Sequence, residues 1–447
     1  MCIIGSNDRI ERLTLTLQIV SVLIIIISYF TTRLINIATA IALVLFIISK
    51  RSWNQKFSLL YFLFPFAPVY TFSEGQTSIF MVLRIAIIAA LLLYEIRSMS
   101  AGFILKVLAF TMYCLFVSIG NEIDMLRRLM NIVMWIVIIN TMQSTVDGDS
   151  SLPISRSFSN GVILSAIVGM YVDYIPGMKY DLMENQVARI SDNADYVQRF
   201  NGLFGDPNMF VIIVCMALWA MFYEYHKGRI KTSEFLLRTI ACTIFGMLTY
   251  SKSAMLFVAF FWVCVVFFRN TIKSHMKAII ILAFGFGSVY FLYSNPQWLE
   301  GIIYRFTSND TTLSVDRLTT GRSELWSIYM DYMLQTSSWI SGNGIGFLLP
   351  YGRGAHNLYL QLLYNIGFIG MYFYFILLKS VYKNSPNNKF IVGVDKIGIG
   401  AIICLAMIAF FLDLFLLETL YYMLSLCFIY MKKTESPKTT EKIGDLR

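Results

Sequence analysis

Long apolar runs alternate with short polar breaks along nearly the whole chain. Because an α-helix rises 1.5 Å per residue, a run of roughly 20 apolar residues crosses the hydrocarbon core of a bilayer. The pattern predicts an all-α polytopic membrane protein with about 12–14 transmembrane helices. The predicted spans are residues 13–30, 34–49, 57–72, 79–94, 102–120, 126–143, 158–175, 208–223, 235–250, 254–268, 278–293, 358–378, 397–411 and 414–431.

The composition agrees with this architecture and excludes a water-soluble fold. Hydrophobic residues make up 57% of the 447 residues and charged residues only 14%, whereas a soluble domain carries roughly 25% charged residues. The alternating pattern of a membrane β-barrel is absent from the sequence. The first apolar run has no small-residue cleavage site behind it, so we expect it to remain as a membrane anchor.

The basic residues predict the orientation. Most of the 36 lysines and arginines fall on one side of the membrane if both termini are cytoplasmic, as the positive-inside rule requires. The net charge of +9 is therefore first a topology signal. Basic residues are spread over short loops and form no continuous patch, so the lipid bilayer is an expected partner and nucleic acid is not.

The predicted topology divides the chain into unequal parts. Two long outward loops have no linker composition, and loops of this kind usually carry function. Both face the same side of the membrane, so one site could draw on both. The parts are the N-terminal transmembrane helices (1–176), a first outward loop (177–207), central transmembrane helices (208–294), a large outward loop with amphipathic helices (295–355), C-terminal transmembrane helices (356–431) and a cytoplasmic tail (432–447).

Several kinds of chemistry have no support in the sequence. Six of the seven cysteines lie inside predicted spans and none lies in an outward loop, so we expect neither a disulfide nor a cysteine-based metal site. Nucleotide-binding glycine motifs and the HExxH motif are missing. The three histidines are widely separated, which makes a histidine metal site improbable. We therefore predict no metal and no cofactor.

The first long outward loop ends in a turn that starts a helix. Asp206, Pro207 and Asn208 form a turn and helix-start signal, with Asp206 as the N-cap and Pro207 in the first helical turn. Arg199 has no capping role and lies next to the membrane surface. It is therefore a candidate for binding an anionic ligand.

The second long loop contains a predicted amphipathic helix. Leu325, Trp326, Tyr329 and Met333 would share one face, which would lie on the membrane or roof the transmembrane bundle. Arg322 stands at the start of this helix, where a cation is unfavourable against the helix dipole. A positive residue at a positive helix end suggests an anionic partner.

Glycines and polar residues gather just before the twelfth predicted span. Gly344 and Gly346 free the backbone to approach a ligand or another helix. Arg353 follows, and His356 with Asn357 opens the span at the outer membrane boundary. A histidine at a helix start can be a cap, an interface residue or a functional group, and the sequence leaves these alternatives open.

Other charged residues lie inside or beside predicted spans. Ionisable groups within a membrane are costly and are functional candidates by default. Lys106 and Arg238 are close enough to span ends to snorkel, whereas the role of Arg84 is left open. Lys252 stands in a tight outward turn and would add positive charge to the outward face.

Arginines and one histidine on the outward face suit a phosphate-bearing amphiphile. Arginine forks bind phosphate through paired hydrogen bonds and keep their charge. A histidine with an ordinary pKa of about 6.5 can accept a proton at neutral pH. The candidate set is Arg199, Arg322, Arg353, Lys252 and His356.

Five short motifs give the chain a family resemblance. In order, they are RFNGLFGDPNMF, TYSKSAM, TTGRSELW, GNGIGF and AHNLYLQLLYNIGFIG. Their order and spacing resemble the O-antigen polymerase and O-antigen ligase superfamily, and most closely its repeat-unit polymerases. The resemblance extends from about Arg199 to Gly370, and the N-terminal spans match in hydropathy alone.

The resemblance implies a metal-independent glycosyltransferase with a GT-C-like fold in the bacterial inner membrane, its active site facing the periplasm. The donor would be a glycan linked to undecaprenyl pyrophosphate, and the acceptor a hydroxyl on a second glycan. The family's histidine falls on His356 as general base or positioning residue, and its arginines fall on Arg199 and Arg322 as pyrophosphate-binding catalytic residues. A chain-length regulator is a candidate partner.

The remaining site residues are expected to bind substrate. Lys252 stands where many relatives have arginine. Lysine keeps the positive charge but cannot form the paired hydrogen bonds of a guanidinium. The expected substrate-binding set is Lys252, Arg353, Asn357, Asn208, Gly344 and Gly346, with the glycines leaving room for a bulky glycan.

Other activities remain open at this point. Within the superfamily, a ligase would transfer the finished glycan to lipid A-core, and a capsule or exopolysaccharide polymerase fits equally well. From a different class, a glycan-lipid flippase or another transporter would show charged residues at the membrane midplane and broken helices.

Overall fold

The computed structural model describes residues 4–72, 78–95, 99–121, 124–146, 150–178, 187–189, 196–268, 322–347, 354–383, 391–412 and 414–434. The predicted span 278–293, most of the large loop, Arg353 and most of the C-terminal tail lie outside these residues. Within them, the chain is α-helical, as predicted, apart from isolated bridges and two short strand pairs.

Ten helices precede the undescribed part of the large loop, and five follow it among the described residues. They are α1 (Ile4–Phe30), α2 (Asn36–Ile48), α3 (Trp53–Leu63), α4 (Phe80–Tyr94), α5 (Ala101–Val117), α6 (Asp124–Thr145), α7 (Leu152–Met170), α8 (Pro207–His226), α9 (Thr232–Met247), α10 (Lys252–Phe267), α11 (Arg322–Thr336), α12 (Ser338–Ser341), α13 (Leu358–Lys383), α14 (Lys396–Ala409) and α15 (Glu418–Met431). The strands β1 (Val187–Arg189) and β2 (Tyr196–Gln198) pair antiparallel, as do β3 (Ile391–Val394) and β4 (Lys432–Thr434).

Among the described residues, three helical segments are long and apolar enough to cross a membrane by length and composition. They are Leu13–Phe30, Pro207–His226 and Leu358–Lys383, and shorter apolar helices accompany them. These helices agree with an α-helical membrane protein.

The outer helices present apolar side chains on exposed faces. On α5, Leu105, Leu108, Met112 and Phe116 are all exposed, and they recur every three or four residues. A contiguous exposed apolar stripe of this kind would be a liability in water but suits contact with lipid chains.

The centre of the bundle is α8. Nearly every side chain from Phe210 to Glu224 is buried, because α8 packs against α7, α9, α10, α14 and α15. A helix that is apolar on all sides is stable only when it is surrounded.

Two predicted spans differ from the helices observed. The third was predicted to continue to residue 72, but α3 ends at Leu63 and a 3-10 turn ends at Phe66. The prolines at positions 65 and 68 cannot donate backbone hydrogen bonds, which explains the early end. The twelfth predicted span is continuous in hydropathy, yet α13 breaks at Gly367, which has φ 59° and ψ −178°.

Buried charges cluster at the end of the bundle opposite the motif-bearing loops. Glu224 in α8 is fully buried and forms an ion pair of 2.9 Å with Arg229. The hydroxyls of Ser151 and Ser155 donate to the same carboxylate at 2.5 Å and 2.8 Å. Because this carboxylate is both paired and hydrogen-bonded, its burial is tolerated.

Candidate functional site

The end of the first long loop packs against the turn between α9 and α10. Nε of Arg199 donates to the Thr249 carbonyl at 3.0 Å, and Nη2 lies 3.5 Å from Oδ1 of Asn208. The same Asn208 oxygen accepts from the Ser251 hydroxyl at 2.8 Å. Two of the five motifs therefore meet around the half-buried guanidinium of Arg199.

Asp206 starts α8 as the sequence predicts. Its Oδ1 accepts from the Asn208 backbone N–H at 2.8 Å and from the Asn208 side-chain amide at 3.0 Å. Pro207 occupies the first helical turn, where its missing N–H costs nothing. Both ends of the Asn208 amide are engaged within the protein, so Asn208 supports Arg199 and the Asp206 cap, and we no longer assign it direct substrate contact.

Two basic candidates are only partly described. Lys252 was predicted to lie in an outward turn and is the first residue of α10. The structure describes its backbone and not its side chain. Arg353 lies outside the described residues altogether, and its predicted role stays a prediction.

Arg322 is the first residue of α11, as predicted, and its guanidinium lies beside the end of another helix. Its Nη1 donates a hydrogen bond of 2.7 Å to the carbonyl of Phe411, two residues beyond the end of α14. The carboxyl end of a helix carries partial negative charge, so this carbonyl offsets the unfavourable position of Arg322 at the start of α11.

His356 lies next to α11, the helix that begins with Arg322. Trp326, one turn after Arg322, donates from Nε1 to the carbonyl of Ala355 at 2.8 Å. His356 is exposed and its backbone is left-handed, with φ 49°. A non-glycine residue in this conformation costs of order 1 kcal/mol and is often found at functional sites.

Asn357, and not His356, caps α13. Its Oδ1 accepts from the backbone N–H groups of Tyr359 at 3.0 Å and Leu360 at 3.1 Å. This hydrogen bonding is typical of an N-cap asparagine. The predicted substrate contact of Asn357 is therefore replaced by a structural role, whereas the capping alternative left open for His356 is excluded.

The linker between α14 and α15 connects the two halves of the site. The Phe411 ring lies 6.4 Å from that of Phe257 in α10, and the Phe410 ring lies 5.1 Å from that of Trp326. The α10 start beside Asn208 and the α11 start beside His356 thus share one neighbour. The segments that hold Arg199 and Arg322 are therefore connected through α10, α11 and this linker.

An apolar cleft of about 380 Å³ opens next to this group. Its wall is almost entirely apolar and comes from α11, α13 and the residue that follows α14, namely Trp326, Met330, Asn357, Tyr359, Leu360, Leu363, Phe368, Met371 and Phe410. Trp326 lies one turn after Arg322 in α11, and Asn357 directly follows His356 in the chain. Arg322 and His356 do not line the cleft, but each stands on a segment that does.

The glycines of the GNGIGF motif close a break in α13. The break at Gly367 frees backbone carbonyls, and the motif supplies donors to them. The N–H of Asn343 donates to the Tyr364 carbonyl at 2.9 Å, and the N–H of Gly344 to the Asn365 carbonyl at 2.8 Å. A broken helix in a membrane protein is stable only when its freed polar groups find partners.

Gly344 does not leave room for a glycan, and that prediction is wrong. It is buried against the end of α5, and a Cβ built on it would lie 2.8 Å from the Ser118 Cα and 2.8 Å from the Val117 carbonyl oxygen. Gly346 has more space, since a Cβ there would come no closer than 3.6 Å to Arg128. Both have positive φ, at 94° and 78°. Close backbone packing explains Gly344, and backbone conformation explains Gly346.

We expect Gly344→Ala to destabilise the protein by about 2–4 kcal/mol, since overpacking adds to the strain of a positive φ. Gly346→Ala, with the same kind of backbone strain but no close neighbour, should cost about 1 kcal/mol. Detergent-titrated unfolding of the two variants measures the difference. Equal costs would contradict the packing role given to Gly344.

The sequence analysis missed the partner of Arg84. The Arg84 side chain is 6% exposed, and its Nη1 lies 2.7 Å from Oε1 of Glu418 at the start of α15. It also donates to the Asn131 carboxamide oxygen and lies 5.5 Å from the Trp135 ring centroid. Glu418 also lies inside a predicted span. Its presence there could have indicated the pair, because a cation buried in a membrane protein requires a partner.

Among the described residues, no three histidine, cysteine, aspartate or glutamate side chains group closely enough to hold a metal ion. Compared with known proteins, the chain matches no family model, no curated protein and no solved structure.

Proposed function

We propose that the protein is a GT-C-like glycosyltransferase that polymerises undecaprenyl-pyrophosphate-linked repeat units into O-antigen or a related surface polysaccharide. The reaction would take place at the periplasmic face of the bacterial inner membrane, with both termini in the cytoplasm. It would need no metal and no other cofactor.

One observation carries this proposal. Arg322 and the exposed His356 stand on the segments that place Trp326 and Asn357 in the wall of the apolar cleft, and Trp326 bonds the Ala355 carbonyl next to His356. A lipid pyrophosphate combines a dianionic head, which suits the arginine, with an isoprenoid chain, which suits the apolar cleft. Arginine binds the head through paired hydrogen bonds, and apolar surface gains free energy when it is removed from water.

The chemical step divides between arginines and histidine. The acceptor hydroxyl attacks the anomeric carbon of the donor sugar, and the bond between that carbon and the pyrophosphate oxygen breaks. The electron pair of the broken bond leaves with undecaprenyl pyrophosphate, whose developing charge Arg322 and Arg199 would stabilise. His356 takes the proton of the attacking hydroxyl, or positions that hydroxyl for attack.

Arg322→Lys tests the requirement for a guanidinium. Lysine keeps the charge but cannot form two parallel hydrogen bonds to a phosphate, so we expect chain elongation to fall by about 10–100-fold. The control is Arg127→Lys, which alters an exposed arginine on α6 outside the site and should leave elongation unchanged. Wild-type elongation by Arg322→Lys would remove Arg322 from the mechanism.

The lipopolysaccharide ladder of a strain lacking this chain distinguishes the two activities of the superfamily. Loss of a polymerase leaves lipid A-core that carries a single repeat unit. Loss of a ligase leaves bare core while lipid-linked polymer accumulates. We expect the first pattern, with full restoration by the wild-type chain.

Transport of a glycan lipid is the second candidate, and the broken α13 is the observation that favours it. Transporters build binding sites from discontinuous helices whose freed carbonyls line a cavity. Here Asn343, Gly344 and the Tyr113 hydroxyl occupy the carbonyls of Tyr364, Asn365 and Ile366, which weighs against that role. A transporter would move the lipid-linked unit across vesicles and leave its length unchanged.

A further inference from the structure

The linker between α14 and α15 is held at several points. At its start, the Phe411 carbonyl accepts from Arg322 at 2.7 Å. In its middle, the Phe415 N–H donates to Oε1 of Gln361 in α13 at 3.3 Å, and the Phe415 carbonyl accepts from the Tyr421 hydroxyl at 3.0 Å. The position of Arg322 therefore depends on where this linker lies.

The far end of the linker is fixed by an ion pair between Glu418, 31% exposed, and the buried Arg84. Glu418 is the first residue of α15 and pairs with Arg84 of α4 at 2.7 Å. Arg84 also donates to Asn131 of α6, so three helices meet at this ion pair. Neutralising one partner of a buried pair leaves an uncompensated charge, which the surroundings can relieve only by moving.

We propose that Arg84 and Glu418 form a positioning pair that fixes the linker and, through the Phe411 carbonyl, orients Arg322 toward the pyrophosphate of the donor. This inference depends on the proposed function for its readout of turnover. It gives a role to the buried arginine that the mechanism does not otherwise use. Arg84 acts through another residue and does not contact substrate.

The chain offers a matched control at the opposite end of α14. Lys227 pairs with Oδ2 of Asp395 at 2.9 Å, while Oδ1 of Asp395 caps α14 by accepting from the Ile397 N–H at 2.9 Å. Lys227→Gln removes an ion pair of similar length, 2.9 Å against 2.7 Å for Arg84 and Glu418, and leaves the cap in place. It should change neither the linker nor the site.

The experiment uses the full chain in lipid nanodiscs, with a synthetic undecaprenyl-pyrophosphate-linked repeat unit as substrate. It compares turnover and the hydrogen–deuterium exchange of residues 410–418 in wild type, Arg84→Gln, Glu418→Gln and Lys227→Gln. We expect about 100-fold lower turnover in the first two variants, because a displacement of about 1 Å at a catalytic group has effects of that size. Exchange in the linker should accelerate in both, and Lys227→Gln should match wild type.

A charge swap separates positioning from a simple requirement for folding. In the double variant Arg84→Glu with Glu418→Arg, the Asn131 amide can turn to donate instead of accept, so the pair can re-form. We expect turnover within about tenfold of wild type and a slowly exchanging linker, since restoring the contact restores most of its free energy. If Arg84→Gln does not fold, Glu418→Gln decides the test, because it neutralises the same ion pair and keeps the Arg84 side chain.

The outcomes distinguish this inference from the proposed function. Normal turnover in Arg84→Gln or Glu418→Gln, or lost turnover with an unchanged linker, overturns the positioning role. A wild-type chain that elongates nothing overturns the proposed function, while the exchange measurement still decides whether the ion pair fixes the linker.

Discussion

Replacing His356 with alanine should lower chain elongation by about 10²–10⁴-fold, the usual contribution of a positioned general base. The variant should fold normally, because the His356 side chain is exposed and Asn357 supplies the cap of α13. Elongation can be followed as the lipopolysaccharide ladder in a strain that lacks the wild-type chain. Membrane levels of the variant give the correction for expression.

His226→Ala is the matched control for that experiment. His226 is also an exposed histidine, but it lies at the last position of α8, at the end of the bundle away from Arg199 and Arg322. The same substitution there should leave the ladder unchanged. Equal ladders from both variants would remove His356 from the mechanism and leave the arginines to act without a side-chain base.

Replacing Glu224 with alanine should destabilise the protein by about 3–5 kcal/mol, the range for breaking a buried ion pair by removing one partner. Glu224 is fully buried and accepts from Arg229, Ser151 and Ser155. Its removal leaves the Arg229 guanidinium without its carboxylate inside the bundle. Detergent-titrated unfolding of the purified protein measures the loss.

Arg156→Ala provides the comparison for that stability measurement. Arg156 pairs with Glu234 at 2.9 Å, the same distance as the Glu224 pair, but the Arg156 side chain is 41% exposed, and Glu234 keeps Arg238 as a second partner at 3.3 Å. Exposed pairs contribute about 0–1 kcal/mol, so this variant should unfold close to wild type. Equal losses for Glu224→Ala and Arg156→Ala would show that burial does not set the contribution of these ion pairs.

The helical architecture followed from hydropathy because lipid imposes a simple rule. Every backbone polar group in a membrane must be paired within the protein, so long apolar runs become helices. The start of α8 at Pro207 and of α11 at Arg322 also followed from local signals, since caps and charges act on neighbouring residues. Those predictions needed no knowledge of tertiary contacts.

The break in α13 could not be predicted in the same way. Gly367 lies in a run with no change in hydropathy, and its left-handed backbone is stable only because Asn343 and Gly344 pair with the freed carbonyls. Glycine permits both helix and break, and the partner segment decides between them. The misassigned role of Gly344 has the same origin, because close packing against α5 is a tertiary contact.

The sequence supplied the candidate site residues, but the contacts that hold them could not be predicted from it. Motifs identified His356, Arg322 and Arg199, but the Phe411 carbonyl that holds Arg322 carries no side-chain signal. The pair of Arg84 and Glu418 joins residues far apart in sequence, so their proximity is a property of the folded bundle. Their link to Arg322 depends on the linker between α14 and α15, which is also a feature of the folded bundle.

Purified protein in nanodiscs, supplied only with a synthetic undecaprenyl-pyrophosphate-linked repeat unit and no metal, provides the most direct test of the central claim. We predict lipid-linked products of two, three and more repeat units, with one undecaprenyl pyrophosphate released for each new linkage and no products from His356→Ala. Unchanged substrate, or movement of the unit across the bilayer without elongation, would contradict the glycosyltransferase assignment.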